Sequence, residues 1–411
     1  MRAVTKLVGM SMFVAGVMPL GTHAQTAGPA LPAVSPTPRP AVTTLVSRLD
    51  LERYKATIKG LTQFGDRRQG TERNREAVDW IEAQLKSYGC PTERIRYTYD
   101  PPPPAPRGGT QAPGARRPEP EIPRAVGGGR PRGVRTPTGV NTDSGRQPNE
   151  ALRALNAEPA SNGPREEVYC TKVGSVRPNE MYIVSAHMDG HGWGEAANDD
   201  GSGTALVMEL ARIFSMPDVR TERTIRFALW NNEETGLNGA TAYVQQRKAL
   251  QGREDPPESG RYPEPTWLGM IQHDMMLFDH GMPRADGTIP PEQRPEADVN
   301  IEFQMTSRQT LGAQALAWFF HAANEKYATD YPAQVGPHMT NTDSTPFMDE
   351  VPAISLRENE RGVHVGSGWD PQWHQPTDLF TTYSDKDFRL GLNAAQTTAG
   401  AVAELTGATL R

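Results

Sequence analysis

The sequence predicts a three-layer α/β fold, with a mixed but mostly parallel sheet flanked by helices on both faces. The chain of 411 residues is 36% hydrophobic and 22% charged, which is ordinary globular composition. Apolar segments with strand periodicity alternate with amphipathic helical segments, as in parallel sheets that are covered on both faces. Side chains able to hold a cation follow three of the predicted strands, which indicates a site at the carboxyl edge of the sheet.

The first 24 residues have the features of a secretory signal peptide. Arg2 and Lys6 precede an apolar run over residues 7–20, and Thr22-His23-Ala24 offers a small-residue cleavage site. The run of about 14 apolar residues is short for a membrane span, which needs about 20. We therefore expect export to the periplasm or the medium without stable membrane insertion. A flexible leader rich in Pro, Ala and Thr is predicted for residues 25–48.

The following domain is predicted to cover residues 49–411 and to begin with two helices and a strand. The helices are predicted at 50–64 and 71–88, the second capped by Thr71 and ended by Gly89. The strand at 93–99 shows alternation.

A segment of unusual composition comes next. Residues 101–136 contain 10 Pro, 7 Gly and 7 Arg against 2 Glu. Such a segment cannot bury enough apolar surface to become ordered, so we predict a disordered insertion at about 101–165.

From residue 166 onward, strands and helices alternate regularly. Strands are predicted at 167–171, 181–186, 224–230, 268–272 and 352–356. Helices are predicted at 203–216, 237–247, 310–327 and 385–405.

Charge and cysteine content exclude some classes of function. A net charge of −6 gives no reason to expect nucleic acid as a partner. Cys90 and Cys170 are too few for a thiolate metal site and do not form a CxxC pair. Both lie next to predicted strands, so in an exported protein they could form one disulfide, with two buried free thiols as the alternative.

Potential metal ligands cluster at the ends of three predicted strands. They are His187 and Asp189 after 181–186, Glu233 and Glu234 after 224–230, and His273 and Asp274 after 268–272. Imidazole and carboxylate groups without thiolates suit zinc, and also cobalt or manganese.

Each of these motifs has a chemical interpretation. The Asp189 carboxylate can accept the second ring N–H of His187 and fix its tautomer. Asp199, in a tight Gly-rich turn, could bridge two cations about 3.5–4 Å apart. Of Glu233 and Glu234, one can bind a cation while the other takes a proton from water. Taken singly, the turn could merely cap a helix and the Glu pair could be solvated.

Five motifs in this order resemble the M28 family of zinc peptidases, which includes secreted bacterial aminopeptidases, glutamate carboxypeptidase II and the related glutaminyl cyclases. They are AHMDG, ANDDGSG, LWNNEETGLNGA, IQHDM and WHQPTD, between Ala186 and Asp378. The resemblance implies the α/β fold of the zinc exopeptidases and two Zn²⁺ ions per chain. The implied metal ligands are His187 and Asp274 for one ion, Glu234 and His374 for the other, and Asp199 for both. Glu233 would be the general base, with Asp189 behind His187.

The implied activity is that of a secreted exopeptidase acting on peptides, with aminopeptidase as the main expectation. A carboxypeptidase of the same family and a single-zinc glutaminyl cyclase-like acyltransferase are the alternatives. A carboxypeptidase would need a basic group for the terminal carboxylate, for which Arg308, Arg357 and Arg361 are candidates. Trp373 stands where these enzymes often have Tyr, and the Arg-rich insertion is not a family feature.

The remaining polar residues are given lesser roles. His191 and His273 are close enough in sequence to support a ligand, while His280, His321, His338 and His364 are expected in the core or on the surface. Asp200, Asp279 and Glu195 are expected to be solvated or to cap helices.

Overall fold

The computed structural model of the chain describes residues 31–32, 36–100, 143–280, 288, 290–337, 342–358 and 370–411. The predicted signal peptide and residues 101–142 of the predicted insertion lie outside these ranges.

Within the described residues there are eight α-helices and ten strands. The helices are α1 (Pro40–Val46), α2 (Leu51–Thr62), α3 (Glu72–Ser87), α4 (Glu150–Asn156), α5 (Gly201–Phe214), α6 (Asn238–Arg247), α7 (Thr310–Tyr327) and α8 (Asp385–Leu405). The strands are β1 (Thr92–Tyr99), β2 (Gly163–Lys172), β3 (Arg177–His187), β4 (Val219–Arg220), β5 (Arg223–Trp230), β6 (Thr266–His273), β7 (Val299–Phe303), β8 (Ala333–Gly336), β9 (Ala353–Arg357) and β10 (Thr409–Leu410).

Eight of the strands form one sheet in the order β1-β2-β5-β3-β6-β9-β7-β8. The central neighbours β5, β3, β6 and β9 are parallel. The pairs β1–β2, β2–β5 and β7–β9 are antiparallel. The predicted mixed, mostly parallel sheet is confirmed, and β5, β3, β6 and β9 end side by side at one edge.

Alternate side chains of β3 enter two different cores, which makes the fold three-layered. Tyr182, Val184 and Ala186 belong to the larger core, together with buried residues of α1, α2, α3, α5, α7 and α8. Met181 and Ile183 belong to the smaller core on the other face, with residues of α6 and of the 3₁₀ turn Thr345–Phe347. A period of two is the expected consequence of the strand pleat.

Part of the predicted flexible leader is a helix, so that prediction is wrong for residues 40–48. Val42 and Leu45 of α1 are fully buried against the larger core. Arg39, just before α1, donates to the carbonyl of Ala408 at 3.1 Å. Pro40 occupies the first turn of α1, where its missing N–H has no helical partner in any case. A proline that contributed to the prediction of disorder, Pro40, is therefore the first residue of a helix.

The predicted insertion is also too long at its carboxyl end. The Asn149 side chain caps α4 by accepting from the N–H of Leu152, and β2 begins at Gly163. The Asn156 amide donates to the Gly194 carbonyl at 2.9 Å, which ties this segment to the loop after β3. Residues 143–165 are thus ordered because they have tertiary partners, which their composition does not reveal.

A disulfide joins Cys90 to Cys170, whose Cα atoms lie 5.6 Å apart. It links the chain just after α3 to β2, and both cysteines are buried. Of the two interpretations of these cysteines, the disulfide is therefore the one that the structure shows.

None of the helices in the described residues combines the length and apolar character required to cross a membrane.

The integration of α1 can be tested by truncating one of its side chains. We expect Leu45→Ala to lower the free energy of unfolding by about 2–5 kcal/mol, because it leaves a cavity in the core. The neighbouring Thr44 is exposed, and Thr44→Ala should change stability by no more than about 0.5 kcal/mol. Urea unfolding followed by circular dichroism measures both, and equal effects would show that α1 is not docked.

Candidate metal centre

The predicted ligands converge at the carboxyl edge of the sheet, around a cavity of about 120 Å³. His187 is the last residue of β3, Asp274 directly follows β6, and Glu233 and Glu234 come from the turn after β5. The residues lining the cavity are His187, Asp199, Glu233, Glu234, Gly236, Asp274, Trp373 and His374. The strand ends therefore meet as the sequence predicts.

The carboxylate of Asp199 lies between the two histidines. Its Oδ1 is 3.3 Å from Nε2 of His187, and its Oδ2 is 3.1 Å from Nε2 of His374. Each oxygen thus faces a different imidazole, which is the arrangement that a carboxylate shared by two cations requires.

The other ligands divide between the two histidines. Asp274 Oδ1 lies 3.8 Å from His187 Nε2, and Glu234 Oε2 lies 2.7 Å from His374 Nε2. In the described residues, two groups offer ligand atoms within 4.8 Å of one another: His187, Glu233 and Asp274, and His187, Asp199 and Glu234. The second oxygen of Glu234 is buried without a hydrogen-bond partner, so it can turn to a cation. This donor set of imidazole and carboxylate fits zinc.

The turn that carries Asp199 is held from both sides. The Asp200 carboxylate caps α5 by accepting from the N–H of Gly203 at 2.8 Å, as expected, and it also accepts from the N–H of His187. The Asp378 carboxylate accepts from the N–H groups of Asn198 and Asp199, at 2.9 and 3.1 Å. The peptide bond between Asp199 and Asp200 is cis.

Asp189 supports Glu233 directly. Its Oδ1 accepts from the N–H of Glu233 at 3.0 Å. The Glu233 carbonyl in turn accepts from the N–H groups of Gly236 and Leu237, at 2.8 and 2.9 Å. The main chain of Glu233 is therefore fixed on both sides while its side chain remains at the cavity.

The predicted contact between the Asp189 carboxylate and the His187 ring is not the one found. Nδ1 of His187 is 2.9 Å from the carbonyl oxygen of Asp189, whereas the carboxylate is 3.8 Å away. The chain turns after β3 so that the carbonyl group of Asp189 faces the His187 ring. The Asp189 carboxylate instead accepts the hydrogen bond from the N–H of Glu233. The carbonyl can only accept, so Nδ1 is the protonated nitrogen and Nε2 is left toward Asp199 and Asp274.

His374 is positioned by its immediate surroundings. Its φ of 55° is left-handed, and its ring stacks on Trp373 at a centroid distance of 4.2 Å. Gly192 lies so close that a Cβ at that position would be 2.3 Å from the His374 carbonyl carbon, so only glycine allows this approach. The His191 ring lies 5.9 Å from that of His374.

Burial and mutual repulsion raise the pKa values of Glu233 and Glu234, whereas for Asp199 and Asp274 neighbouring basic groups outweigh burial and lower the pKa. Burial, and then Asp199, raise the pKa of Glu234 to about 7. Burial also raises the pKa of Glu233 well above its usual range, with His187 opposing and Asp343 and Glu234 adding to the shift. For His374, burial lowers the pKa, but Glu234 and Asp199 outweigh it and raise the pKa to about 11. The carboxylates thus need positive charge among them, which a divalent cation would supply.

Arg357 holds a predicted ligand rather than lining the cavity. Its Nη2 lies 2.7 Å from Asp274 Oδ2, its Nε lies 3.6 Å from Glu302, and its side chain is 2% exposed. Of the other basic candidates, Arg308 is exposed and not among the cavity-lining residues, and Arg361 lies outside the described residues.

Several polar residues near the motifs have other partners. His273 is a core residue bonded to the Ser185 carbonyl and to Thr398, and His280 bonds Asp387. Asp279 is not solvated, because it is buried and paired with Arg294 at 2.8 Å. Glu195 accepts from the N–H of Phe380, and His338 and His364 lie outside the described residues.

The family is decided by a match that spans these motifs. A model described as Peptidase family M28 matches residues 168–390. The chain belongs to peptidase family M28.

Curated relatives of this M28 chain match it over short stretches. Carboxypeptidase Q of Xenopus laevis is 37% identical over 92 residues, which are 22% of this chain and 20% of the relative. An aminopeptidase of Pseudomonas aeruginosa (strain UCBPP-PA14) is 41% identical over 68 residues, or 16% and 12% of the two chains. The match thus spans about a fifth or less of these relatives' length.

Solved structures show the same fold over nearly the whole M28 chain. An aminopeptidase from Aneurinibacillus sp. strain AM-1 has a TM-score of 0.57 and 18% identity, covering 90% of this chain and 97% of that one. Porphyromonas gingivalis glutaminyl cyclase has a TM-score of 0.52 and 14% identity, covering 87% and 98%. These likenesses establish the fold alone.

Sequence analysis of the M28 chain missed Arg67, a buried residue outside every motif. Its guanidinium donates to the carbonyls of Met188, Glu195 and Ala196 at 2.8–2.9 Å. It thereby joins the loop after β3 to the turn before Asp199. Arg67 is one of two adjacent arginines in the segment FGDRRQG, and nothing local in that segment distinguishes it for this role.

Proposed function

We propose that this M28 chain is an exopeptidase with two zinc ions that removes residues from the amino end of peptides. The observation that carries the proposal is the composition of the cavity. Its lining includes four carboxylates, and no Lys or Arg among the residues that the structure describes. A terminal carboxylate would need a basic partner, and none of the described lining residues supplies one.

His187 and Asp274 would bind the first ion, Glu234 and His374 the second, and Asp199 both. The proposal is supported by the two Asp199 oxygens, each of which faces a different histidine. When bound, zinc ions polarise the scissile carbonyl and make water a stronger acid.

Glu233 would be the general base and acid. It would take a proton from the attacking water on a carboxylate oxygen and pass it to the nitrogen of the leaving amine. Burial raises the pKa of Glu233, which makes its carboxylate a stronger base for taking the proton from water. Asp189 would assist by fixing the main chain of Glu233 through its N–H.

Carboxypeptidase activity is the second candidate, since Carboxypeptidase Q is among the relatives that match. Against it, the buried Arg357 is paired with Asp274 and is unavailable to a substrate. A single-zinc glutaminyl cyclase would share the fold, but the presence of both halves of the ligand set favours the peptidase.

Export is part of the proposal. The basic and apolar residues of segment 1–24 support it. The Cys90–Cys170 disulfide adds independent support, because such bonds persist in oxidising compartments.

The direction of attack can be measured on one peptide prepared with each terminus free or blocked. We expect trimming of every version with a free amino terminus, including the carboxyl-amidated one, and no trimming after amino-terminal acetylation. Mass spectrometry of the products, with and without a zinc chelator, is the measurement. Trimming that requires a free carboxyl terminus would establish the carboxypeptidase. Loss of ammonia from amino-terminal Gln without trimming would establish the cyclase.

The role of Glu233 predicts a loss of turnover without a loss of metal. Glu233→Gln keeps the shape of the side chain but not the base, so kcat should fall about 10²–10⁴-fold. Zinc content by elemental analysis should stay at the wild-type level. Glu76→Gln, on the exposed face of α3, is the matched control and should retain full activity. A Glu233→Gln variant with near-normal kcat would refute the assignment.

The sharing of Asp199 predicts unequal zinc contents for two ligand variants. After dialysis, the wild-type chain should hold about two ions and Asp274→Ala about one. Asp199→Ala should hold fewer than Asp274→Ala, because it removes a ligand from both positions. Equal zinc contents in the two variants would argue against a shared carboxylate.

A further inference from the structure

We infer that Asn198 is a positioning residue that sets the spacing of the metal ligands through its side-chain amide. The inference rests on the zinc site of the proposed function. Asn198 directly precedes Asp199, is fully buried, and does not line the cavity. It therefore acts through neighbouring residues and does not touch the reacting atoms.

The amide of Asn198 uses both its donor and its acceptor sides. Its Nδ2 donates to Glu358 Oε2 at 2.7 Å and to Asp370 Oδ2 at 2.9 Å. Its Oδ1 accepts from the N–H groups of Met276 and Leu277 at 2.9 and 3.0 Å. Only one orientation of the amide satisfies these groups, since the reverse would oppose oxygen to two carboxylates.

These four contacts join the segments that carry three of the ligands. Met276 and Leu277 follow Asp274 by two and three residues, and Glu358 follows Arg357, which holds the Asp274 carboxylate. Asp370 precedes His374 by four residues. Because Asn198 is bonded to Asp199 in the chain, its side chain fixes Asp199 relative to both other segments.

A second connection strengthens the same point. The hydroxyl of Tyr383 lies 3.0 Å from Asp370 Oδ2 and 3.1 Å from Asp378 Oδ1, so its single proton can be donated to either carboxyl oxygen. Asp378 is the residue that accepts from the N–H groups of Asn198 and Asp199. The main-chain N–H and the side-chain amide of Asn198 thus both donate to the same buried network of acidic side chains. A hydrogen-bond donor such as an amide is accommodated there, whereas another carboxylate would be repelled.

The decisive substitution is Asn198→Asp, which keeps the shape but replaces two donors with a carboxylate oxygen. That oxygen would face Glu358 and Asp370, so the segments should separate and zinc affinity should fall about 10–100-fold, as for other residues that orient ligands. Zinc affinity would be measured by titration in zinc buffers, with fold and Tm checked by circular dichroism.

Asn393 provides a matched control away from the site. It is also fully buried, its Oδ1 accepts from the N–H groups of Asp330 and Tyr331, and its Nδ2 donates to the Tyr331 carbonyl at 2.7 Å. Asn393→Asp should lower Tm while leaving zinc affinity within about 3-fold of the wild type, because its hydrogen-bond partners, Asp330 and Tyr331, are not among the proposed ligands. If Asn198→Asp lowered zinc affinity only through general destabilisation, Asn393→Asp would lower zinc affinity to the same extent.

An exchange variant keeps the test decisive if Asn198→Asp folds poorly. In N198D/D370N, an amide at position 370 can donate to the new carboxylate, so folding and zinc affinity should recover in part. Asp370→Asn alone should bind zinc more weakly than the wild type. The inference is overturned if folded N198D binds zinc like the wild type, or if the exchange variant is no better than N198D. A wild-type chain that binds no zinc would overturn the proposed function itself, and this inference with it.

Discussion

The concentration of carboxylates at one buried edge of the sheet is the constraint on which the rest of the site depends. Asp199, Glu233, Glu234 and Asp274 all line a cavity of about 120 Å³. Buried anions at this density are costly unless positive charge lies among them. In the chain itself, Arg357 provides that charge, as do His187 and His374 when both of their ring nitrogens are protonated. Cation binding would replace the positive charge of the two histidines, which are proposed ligands, while Arg357 would remain paired with Asp274.

A site under such repulsion must be held by contacts that add no further charge at the cavity. Arg67 meets this need by donating to three main-chain carbonyls rather than to a carboxylate. The Asp378 carboxylate accepts hydrogen bonds from the N–H groups of Asn198 and Asp199. The Asp189 carboxylate accepts one from the N–H of Glu233. The loops are therefore fixed through their main chains. The side chains at the cavity are left free to bind cations.

Much of the fold follows from local periodicity. The long helices α7 and α8 begin and end at the predicted residues, because their apolar positions recur over five turns or more. The strand β7 escaped prediction although its five residues, VNIEF, alternate apolar and polar side chains; all five are buried, and the strand lies between β9 and β8. The helix α1 escaped prediction because seven residues carry little periodic signal and its order comes from docking on the core.

The same distinction between local and distant contacts explains which parts of the site could be predicted. The two histidines are oriented by their chain neighbours: His187 by the Asp189 carbonyl, and His374 by the Trp373 ring. These contacts are local to each short motif, although the sequence predicted the Asp189 carboxylate rather than its carbonyl as the partner of His187. The acidic residues are oriented from far along the chain, as Asp274 is by Arg357, across 83 positions. Such partners are set only when the strands assemble. This is why the sequence can suggest candidate ligands but not the residues that orient their carboxylates.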